Sequence, residues 1–201
     1  MRIVVQEFIT LDGVMQAPGA SDEDPENGFD HGGWQMNFPG GEDDNDSSIT
    51  DWESKTEALL LGRKTYEIWE GAWGVWPEDA PGFMGEFTRR YNRVPKYVAS
   101  RTRTPDSLVW KNSHLLGDDL AAEVAELRRQ PGGEIRVWGS SVLIRSLAEH
   151  DLVDEYRLVM YPLILGTGKK LFPDGFPGAR FTLAEHRALP SGVVISIYKR
   201  R

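Results

Sequence analysis

Stretches of β-branched and aromatic residues alternate along the chain with amphipathic stretches, which predicts an α/β fold. The segments that predict strands are Arg2–Thr10, Ala58–Leu61, Lys96–Ser100, Ser107–Trp110, Glu134–Trp138, Glu155–Leu165, Arg180–Leu189 and Val193–Lys199. Helices are predicted at Thr50–Glu57, Arg63–Trp69, Phe83–Tyr91, Asp118–Arg129 and Ser140–Glu149. Because helices separate the first strands and a turn at Pro190-Ser191-Gly192 joins the last two, we expect a mixed sheet with parallel strands first and antiparallel strands last.

The longest segment without a repeating apolar pattern runs from Asp12 to Ser48 and is rich in Gly and Pro. It carries two acidic clusters, Asp22-Glu23-Asp24 and Glu42-Asp43-Asp44. A calcium site is one hypothesis for these clusters, but they lack the regular alternation and the closing Glu of an EF-hand loop, so a solvated loop is the preferred interpretation. We expect Ala17–Ser48 to be mobile or ordered by a ligand, apart from the turn His31-Gly32-Gly33-Trp34.

The chain has 201 residues and a mass of 22.6 kDa, so we expect one domain spanning residues 1–201. Its net charge of −8 repels phosphate backbones and acidic lipid, so we expect a small-molecule substrate and no nucleic-acid or membrane partner. The lack of Cys excludes thiol catalysis, disulfides and cysteine-ligated metals. No export signal is found, and the longest apolar stretch, Leu158–Leu165, is too short to span a bilayer, so a cytoplasmic location is expected.

Small and basic residues occur together at the ends of three predicted strands. These strand ends are Leu61-Gly62-Arg63-Lys64-Thr65, Ser100-Arg101-Thr102-Arg103 and Trp138-Gly139-Ser140-Ser141. Ligands of α/β sheets bind outside the carboxyl ends of the strands, where a helix N-terminus attracts a phosphate. Each segment by itself is more typical of a bare turn with a solvated charge. Their recurrence after three strands favours a dinucleotide with more than one phosphate site.

No complete motif for a phosphate loop or a nucleophile is present. Gly166-Thr167-Gly168-Lys169 lacks the further Gly of a dinucleotide fingerprint and the Ser or Thr of a P-loop. Gly139-Ser140-Ser141-Val142-Leu143 departs from G-x-S-x-G at its last position. The four His residues show no metal-ligand spacing. The sequence therefore assigns no nucleophile and no metal.

A family resemblance follows from Leu60–Glu67 (LLGRKTYE), which resembles the G-R-x-T-[YW]-E segment of the dihydrofolate reductase-like superfamily. Further segments agree in order: Phe8–Gly13, His31–Trp34, Val98–Thr102, Val137–Ser141, Leu152–Glu155, Pro162–Gly168 and Leu171-Phe172. Over essentially its whole length the chain is similar to the branch named for the reductase (C-terminal) domain of the bacterial riboflavin biosynthesis protein. The resemblance implies a three-layer α/β/α domain with a mixed, mostly parallel sheet and antiparallel C-terminal strands.

The resemblance also implies NADPH bound across the carboxyl ends of the sheet, in contact with three groups of residues: Gly62, Arg63, Lys64 and Thr65; Ser100, Arg101 and Thr102; and Gly139, Ser140, Ser141 and Val142. The first group would meet the 2′-phosphate and pyrophosphate, the second would flank the adenine ribose phosphate, and the third would cradle the pyrophosphate. Ser140 departs from the family, which shows a second Gly there. NADPH is expected over NADH, because local cations, Arg103 among them, offset the acidic charge and no Asp or Glu stands where an NAD site holds the ribose.

On the substrate side, the candidates for ligand contact are Asp12, Trp34 and Asp51. Folate reductases place a carboxylate on the first helix to support protonation, and Asp46, Asp51 and Glu53 are all near that position, so no catalytic residue is assigned. Thr50-Asp51-Trp52-Glu53 also fits a capping box, which is the structural alternative for Asp51 and Glu53. Asp12 also fits an ordinary Asp-Gly turn. Trp34, Trp69, Trp73 and Trp76 could stack on a planar heterocycle, although core burial is the default for Trp.

These observations lead to the hypothesis of an NADPH-dependent reductase of a small heterocycle, similar to 5-amino-6-(5-phosphoribosylamino)uracil reductase. No zinc deaminase signature of the type H-x-E…C-x-x-C accompanies it, which favours a stand-alone reductase with another substrate. The alternatives are a nucleotide- or ligand-binding module of the same fold and a dihydrofolate reductase proper. Since relatives pair through the β-rich C-terminal region, a homodimer is expected.

Overall fold

The computed structural model describes residues 1–40 and 47–201, apart from the side chain of Phe83. The chain forms two compact units. The first unit comprises Met1–Val4 and Ser47–Leu152, and the second comprises Val5–Asp46 and Val153–Arg201. Strand β1 (Arg2–Thr10) begins in the first unit and continues in the second. The expectation of a single domain stays a prediction.

The first unit alternates strands with helices. Its elements after β1 are α1 (Ser48–Glu53), β2 (Thr56–Gly62), α2 (Arg63–Gly71), α3 (Gly82–Arg93), β3 (Lys96–Ala99), β4 (Ser113–Leu115), α4 (Leu120–Arg129), β5 (Glu134–Val137) and α5 (Ser141–Glu149). The strands lie in the order β4-β3-β2-β5, and each neighbouring pair is parallel. The central strand β2 is a continuous apolar run, Ala58 to Leu61, that is fully buried. Burial on both faces is typical of a central parallel strand.

The second unit continues β1 from Val5 and contains β6 (Glu155–Tyr161), β7 (Phe181–Ala188) and β8 (Val194–Arg200) in the order β1-β6-β8-β7. It contains the antiparallel strand pairs β6–β8 and β7–β8. A turn closed by the Leu189 N–H on the Val193 carbonyl at 2.8 Å joins β7 to β8, so the predicted hairpin is confirmed. Strand β7 lies at the edge, and only Phe181 of its residues is half-buried; the others are exposed. This edge strand therefore has little covering it on either face within the described chain.

The predicted fold class, α/β with parallel strands first and antiparallel strands last, is confirmed. Two local predictions are wrong. Ser107–Trp110 is not a strand, because Pro105–Ser107 forms a 3₁₀ turn there and the next strand is the short edge strand β4. The helix predicted at Thr50–Glu57 is displaced: Ser47 is the N-cap of α1, which ends at Glu53, and residues 56 and 57 belong to β2. Within residues 1–40 and 47–201, no helix is long and apolar enough to cross a membrane.

The first unit buries a group of charged side chains beneath α1. Arg136 on β5 is fully buried, and its Nη2 donates to Glu134 Oε2 at 2.6 Å and to the Trp52 carbonyl at 2.8 Å. Its Nε lies 3.9 Å from Glu53 Oε1, and Glu53 is also fully buried. Glu53 accepts hydrogen bonds from Trp138 Nε1 at 3.0 Å and from Thr56 Oγ1 at 3.1 Å. The guanidinium thus links α1 to β5.

A second buried charge, Lys96, lies at the start of β3. Its side chain is fully buried, and its Nζ donates to the carbonyls of Tyr91 (2.5 Å) and Val94 (2.9 Å) while lying 4.5 Å from the ring centroid of Trp110. Burial, and next the positive charge of Lys111, lower the pKa of Lys96 to about 8. The ammonium therefore caps the C-terminal end of α3, although burying its charge lowers the stability of the fold.

This cost gives a pH dependence of stability. Between pH 8 and the ordinary Lys pKa of 10.5, the unfolded chain holds a proton that the folded chain releases, so stability rises with pH across that window. The unfolding free energy of the wild type minus that of Lys96→Met should increase by about 3 kcal/mol from pH 7.5 to 10.5, in favour of the wild type. Urea unfolding of both proteins at each pH measures it. A difference that stays flat would show that Lys96 titrates normally in the fold.

Candidate functional site

The three groups of residues predicted to hold a cofactor lie at one edge of the first unit's strands. Strand β2 lies between β3 and β5 and is parallel to both, and in this register Gly62 faces Ala99 while Leu60 faces Val137. Each predicted group therefore begins at the carboxyl end of one of these strands. Parallel register alone brings the three groups together, as the sequence predicts.

Hydrogen bonds join the first and third groups directly. The Gly62 N–H donates to Ser140 Oγ at 2.8 Å, and the Ser140 N–H donates to Thr65 Oγ1 at 2.9 Å. Gly139 and Ser140 both have left-handed backbones, with φ of 55° and 59°. A Cβ on Gly139 would lie 2.7 Å from Thr65 Oγ1, so glycine is required there by space as well as by φ. The turn before α5 is thus locked onto the first turn of α2.

Ser140, the departure from the family pattern, acts as part of this lock. Its side chain accepts the N–H that precedes α2, although a left-handed backbone costs a non-glycine residue about 1 kcal/mol. The hydroxyl therefore offsets the strain that the second Gly of the pattern would avoid.

Because the hydrogen bond and the backbone strain offset each other, two substitutions at Ser140 should differ in their effect on the unfolding free energy. Ser140→Ala removes the acceptor and keeps the strain, so we expect a loss of about 1–2 kcal/mol in unfolding free energy. Ser140→Gly removes both and should be close to neutral. Urea unfolding of the two variants beside the wild type measures the difference. Equal destabilisation by Ala and Gly would mean that the left-handed backbone carries no cost.

The helices that start at this edge favour an anion. Helices α2 and α5 each have nine residues, and neither carries an acidic residue in its first turn. The first N–H groups of a helix have no partner within it and carry the positive end of its dipole. Val142 in the first turn of α5 is 80% exposed, an apolar contact surface beside those N–H groups. The two helix starts, locked together, can bind adjacent phosphates and an apolar group.

The second group is a turn that presents Arg101 to solvent. Ser100 Oγ accepts the N–H groups of Thr102 (3.2 Å) and Arg103 (3.0 Å), and this holds the chain in a tight bend. Arg101 and Thr102 are exposed. Across residues 1–40 and 47–201, the Arg101 guanidinium has no hydrogen bond or ion pair. A cation held this way at the carboxyl end of β3 is available to an incoming phosphate.

The other cations of the site are already engaged. Arg63 Nη1 lies 2.8 Å from Glu67 Oε2, and Arg103 lies 3.5 Å from Glu67 and 3.6 Å from Glu70. Lys64 also has an interaction within the protein. Sequence analysis missed Glu67 and Glu70, although the Arg63–Glu67 spacing of four residues on a predicted helix indicates such a pair. These carboxylates reduce the positive field that four cations alone would give.

Asp12, a predicted substrate contact, lies in the second unit in a dense set of hydrogen bonds. Thr10 Oγ1 donates to Asp12 Oδ1 at 2.5 Å, and the backbone N–H groups of Leu165 (3.3 Å) and Gly166 (2.8 Å) donate to its two oxygens. Burial opposes the charge, but these hydrogen bonds outweigh it and hold the pKa of Asp12 below its ordinary value. The carboxylate therefore stays ionised and fixes the end of β1 to residues 165–166.

Trp34, the second predicted substrate contact, is buried within the second unit. Its Nε1 donates to the Gln16 carbonyl at 2.8 Å, and its ring packs edge-on against Tyr161 with centroids 5.5 Å apart. The ring of Phe38 packs on the same tyrosine. Trp34 has a structural role in the described chain, and its role toward a substrate stays a prediction.

The three candidate carboxylates of the first helix region have different environments. Asp51 on α1 is exposed and accepts a hydrogen bond from Ser47 Oγ at 3.0 Å. Glu53 is buried against Arg136 and holds the Trp138 indole, directly before Gly139. Asp46 lies outside the described residues. Of the two described carboxylates, Asp51 alone is open to solvent.

Two further predictions concern aromatic rings and metals. Trp69 and Trp73 belong to a ring cluster of the first unit, with Tyr91 5.0 Å from Trp69 and 5.4 Å from Trp73, which favours the core alternative; Trp76 is 42% exposed. Over the described ranges, no group of three or more His, Cys, Asp or Glu could hold a metal ion. Asp24 of the first acidic cluster pairs with Lys169, and the cluster Glu42-Asp43-Asp44 lies outside those ranges.

Comparisons with known proteins agree with this architecture. The sequence profile of the family described as the RibD C-terminal domain matches residues 2–195. The uncharacterized protein YyaP of Bacillus subtilis (strain 168) is 29% identical over 197 residues, which cover 98% of this chain and 94% of YyaP. A solved structure from Shewanella sp. PV-4, named for riboflavin biosynthesis, has a TM-score of 0.70 at 21% identity and covers 100% of this chain and 99% of its own.

A dihydrofolate reductase is also similar in fold. The enzyme from Enterococcus faecalis, solved in complex with NADP(H), has a TM-score of 0.56 at 13% identity and covers 100% of this chain and 96% of its own. At these identities the two solved structures bear on the fold alone. The expected dihydrofolate reductase-like fold is confirmed.

Proposed function

This chain belongs to the RibD C-terminal domain family, and from that premise we propose that it is an NADPH-dependent reductase of a small heterocyclic substrate. The family and the neighbours named for riboflavin biosynthesis and dihydrofolate reduction support a reductase in general terms. The observation that best supports NADPH binding is that hydrogen bonds join the starts of α2 and α5 at the edge of the sheet where Arg101 is exposed. The proposal includes a location in the cytoplasm.

The residues at the strand ends fit a phosphorylated dinucleotide. The turn Gly139–Ser140 brings the start of α5 against that of α2, so backbone N–H groups from both helix starts would bind the pyrophosphate. Arg101, a cation of this site without a partner within the described residues, would meet the 2′-phosphate. The bound nucleotide supplies a hydride, so the protein needs to position, desolvate and protonate rather than provide a nucleophile.

Asp12, Trp34 and Asp51 remain the proposed substrate contacts. Asp12 would accept a hydrogen bond while its charge is held by Thr10 and residues 165–166. Trp34 would stack on the planar substrate, with its ring held in one orientation by Gln16 and Tyr161. Asp51 would orient a water molecule that supplies the proton, because it is the solvent-open carboxylate of α1, whereas Glu53 is enclosed with Arg136. Asp51→Asn should therefore lower turnover and leave NADPH affinity unchanged.

The proposal is tested by cofactor binding and then by turnover. Trp fluorescence titrated with NADPH should show saturable quenching with energy transfer to the nicotinamide. Loss of NADPH absorbance at 340 nm is then followed with dihydrofolate, the phosphoribosylamino-uracil and other planar heterocycles. Binding of NADPH with oxidation by one of these supports a reductase. Absence of NADPH binding at millimolar concentration would overturn the proposal.

We further propose a homodimer formed through the second unit. Strand β7 is an edge strand with seven of its eight residues exposed, including Leu183 at 47%. Long uncovered edges pair readily with another strand. Sedimentation at micromolar concentration should give twice the 22.6 kDa mass of the chain, and Leu183→Lys should shift the protein toward the monomer. A monomer in both proteins would contradict this assembly.

A further inference from the structure

A basic pocket lies at the amino ends of β3 and β4, away from the strand ends described above. Its lining consists of Glu78, Glu86, Arg89, Arg90, Asn92, Arg93 and Lys111, around a cavity of about 500 Å³. Four of these side chains are cations and two are carboxylates, in a chain whose net charge is −8. We propose that this pocket binds the phosphate group of a small phosphomonoester, as a site separate from the cofactor site.

The cations are positioned by contacts that leave donors available. Lys111 Nζ lies 2.5 Å from Glu78 Oε1, and the same oxygen accepts from Asn92 Nδ2 at 2.8 Å. Arg89 Nη1 donates to the Glu78 carbonyl at 2.5 Å. A guanidinium has five N–H groups, so one such contact fixes the side chain and leaves others for a ligand. The segment at Glu78 thus arranges the pocket without neutralising it.

Arg93 is the pocket's unengaged cation. Its side chain is exposed, and nowhere in residues 1–40 and 47–201 does its guanidinium make a hydrogen bond or ion pair. It lies one helical turn beyond Arg89 on α3, where like charges repel unless an anion lies between them. A phosphate bound by both side chains would remove that repulsion.

Capping of α3 does not account for these arginines, because the last carbonyls of the helix have other partners. Lys96 donates to Tyr91 and Val94, and Asn112 Nδ2 donates to the carbonyls of Asn92 (2.8 Å) and Arg93 (3.2 Å). Arg90 reaches away from the helix end to the Ser54 carbonyl at 3.0 Å. Arg89 and Arg90 thus hold neighbouring segments through the carbonyls of Glu78 and Ser54, whereas Arg93 has no such contact within the described residues.

The charge and size of the pocket indicate the ligand class. A formal excess of two positive charges matches a phosphomonoester dianion, and planar guanidinium groups fit phosphate oxygens in pairs. A cavity of about 500 Å³ exceeds what one phosphate fills, so the phosphate would be carried on an organic group.

The test is calorimetric titration of the full chain with inorganic phosphate and with adenosine 5′-monophosphate. We expect Arg93→Ala to weaken binding of both by at least about fivefold, and Glu86→Gln to tighten it, because one removes a cation and the other removes a repelling carboxylate. Arg93→Lys should keep part of the affinity. Arg129→Ala, which removes an exposed arginine of α4 paired with Glu126, is the matched control and should change nothing.

The proposed cofactor site would also attract phosphate, so the variants must separate the two sites. Arg101→Ala should leave phosphate binding at the pocket unchanged, and Arg93→Ala should leave NADPH affinity unchanged. Melting temperatures of both variants show whether each is folded. If Arg101→Ala abolished the binding of inorganic phosphate and Arg93→Ala preserved it, the proposed phosphate site at the pocket would be wrong. The absence of any binding at tens of millimolar phosphate would contradict it as well. Failure of NADPH to bind would overturn the reductase proposal and leave the pocket's result intact.

Discussion

In Arg101→Ala, the dissociation constant for NADPH is expected to rise by about 10- to 100-fold, while that for NADH changes by less than about threefold. The two cofactors differ by the 2′-phosphate, and a charge-assisted hydrogen bond contributes about 1.5–3 kcal/mol, with a factor of ten for each 1.4 kcal/mol. Arg101 is exposed and has no hydrogen bond or ion pair within the described residues, so its whole interaction is available to that phosphate. Fluorescence titration with both cofactors measures the ratio.

Arg63→Ala is the informative comparison on the same site. Glu67 already holds the Arg63 guanidinium at 2.8 Å, so its loss should weaken NADPH binding less than the loss of Arg101 does. Arg129→Ala serves as a remote control with no expected effect. If Arg101→Ala weakened NADH and NADPH equally, Arg101 would contact a part of the nucleotide that both share.

Arg136→Met is expected to lower the unfolding free energy by about 3–5 kcal/mol at neutral pH. The substitution keeps most of the side-chain volume but leaves Glu53 and Glu134 buried without the guanidinium that lies 3.9 Å from one and 2.6 Å from the other. Removing one partner of a buried ion pair costs this much because the remaining charge stays desolvated. Urea unfolding followed by circular dichroism measures the change.

The matched control for Arg136→Met is Arg145→Met. Arg145 on α5 pairs with Glu149 at 3.1 Å, but both side chains are about half exposed, and such pairs contribute less than about 1 kcal/mol. The contrast tests burial rather than the presence of an ion pair. A loss below 1 kcal/mol in Arg136→Met would mean that the buried carboxylates find other stabilisation.

Strands and helices with strong patterns were predictable because local sequence determines them. The run Ala58–Leu61 is apolar throughout and forms the fully buried centre of β2. Ser107–Trp110 has a similar composition, yet Pro105 opens a 3₁₀ turn there, Val109 is 76% exposed, and only Trp110 is buried. Three residues are too few to show the apolar alternation of a strand, so β4 could not be predicted from the sequence. It is a strand because it pairs with β3.

The candidate site divides in the same way. Gly62, Ser100 and Gly139 follow strongly patterned strands, so their placement at one edge followed from parallel order. The partners of the charged groups depend on contacts between distant segments, which no local pattern encodes. The burial of Glu53 requires Arg136 and Trp138 from β5 and the turn beyond it, and the hydroxyl of Ser140 gains its role only when β2 ends beside it.

The division of the chain between the two units has a consequence for its synthesis. The first unit lies almost wholly in one continuous stretch, Ser47–Leu152, which can fold as it leaves the ribosome. The second unit joins Val5–Asp46 to Val153–Arg201, so the earliest part of the chain must wait for the latest. Strand β1 lies between β5 and β6 in the sheet order, so its backbone has no partner strand until β5 (Glu134–Val137) has been synthesised. We therefore expect the nascent chain to carry an unpaired hydrophobic strand until β5 is made, and such extended apolar segments are the kind that chaperones bind.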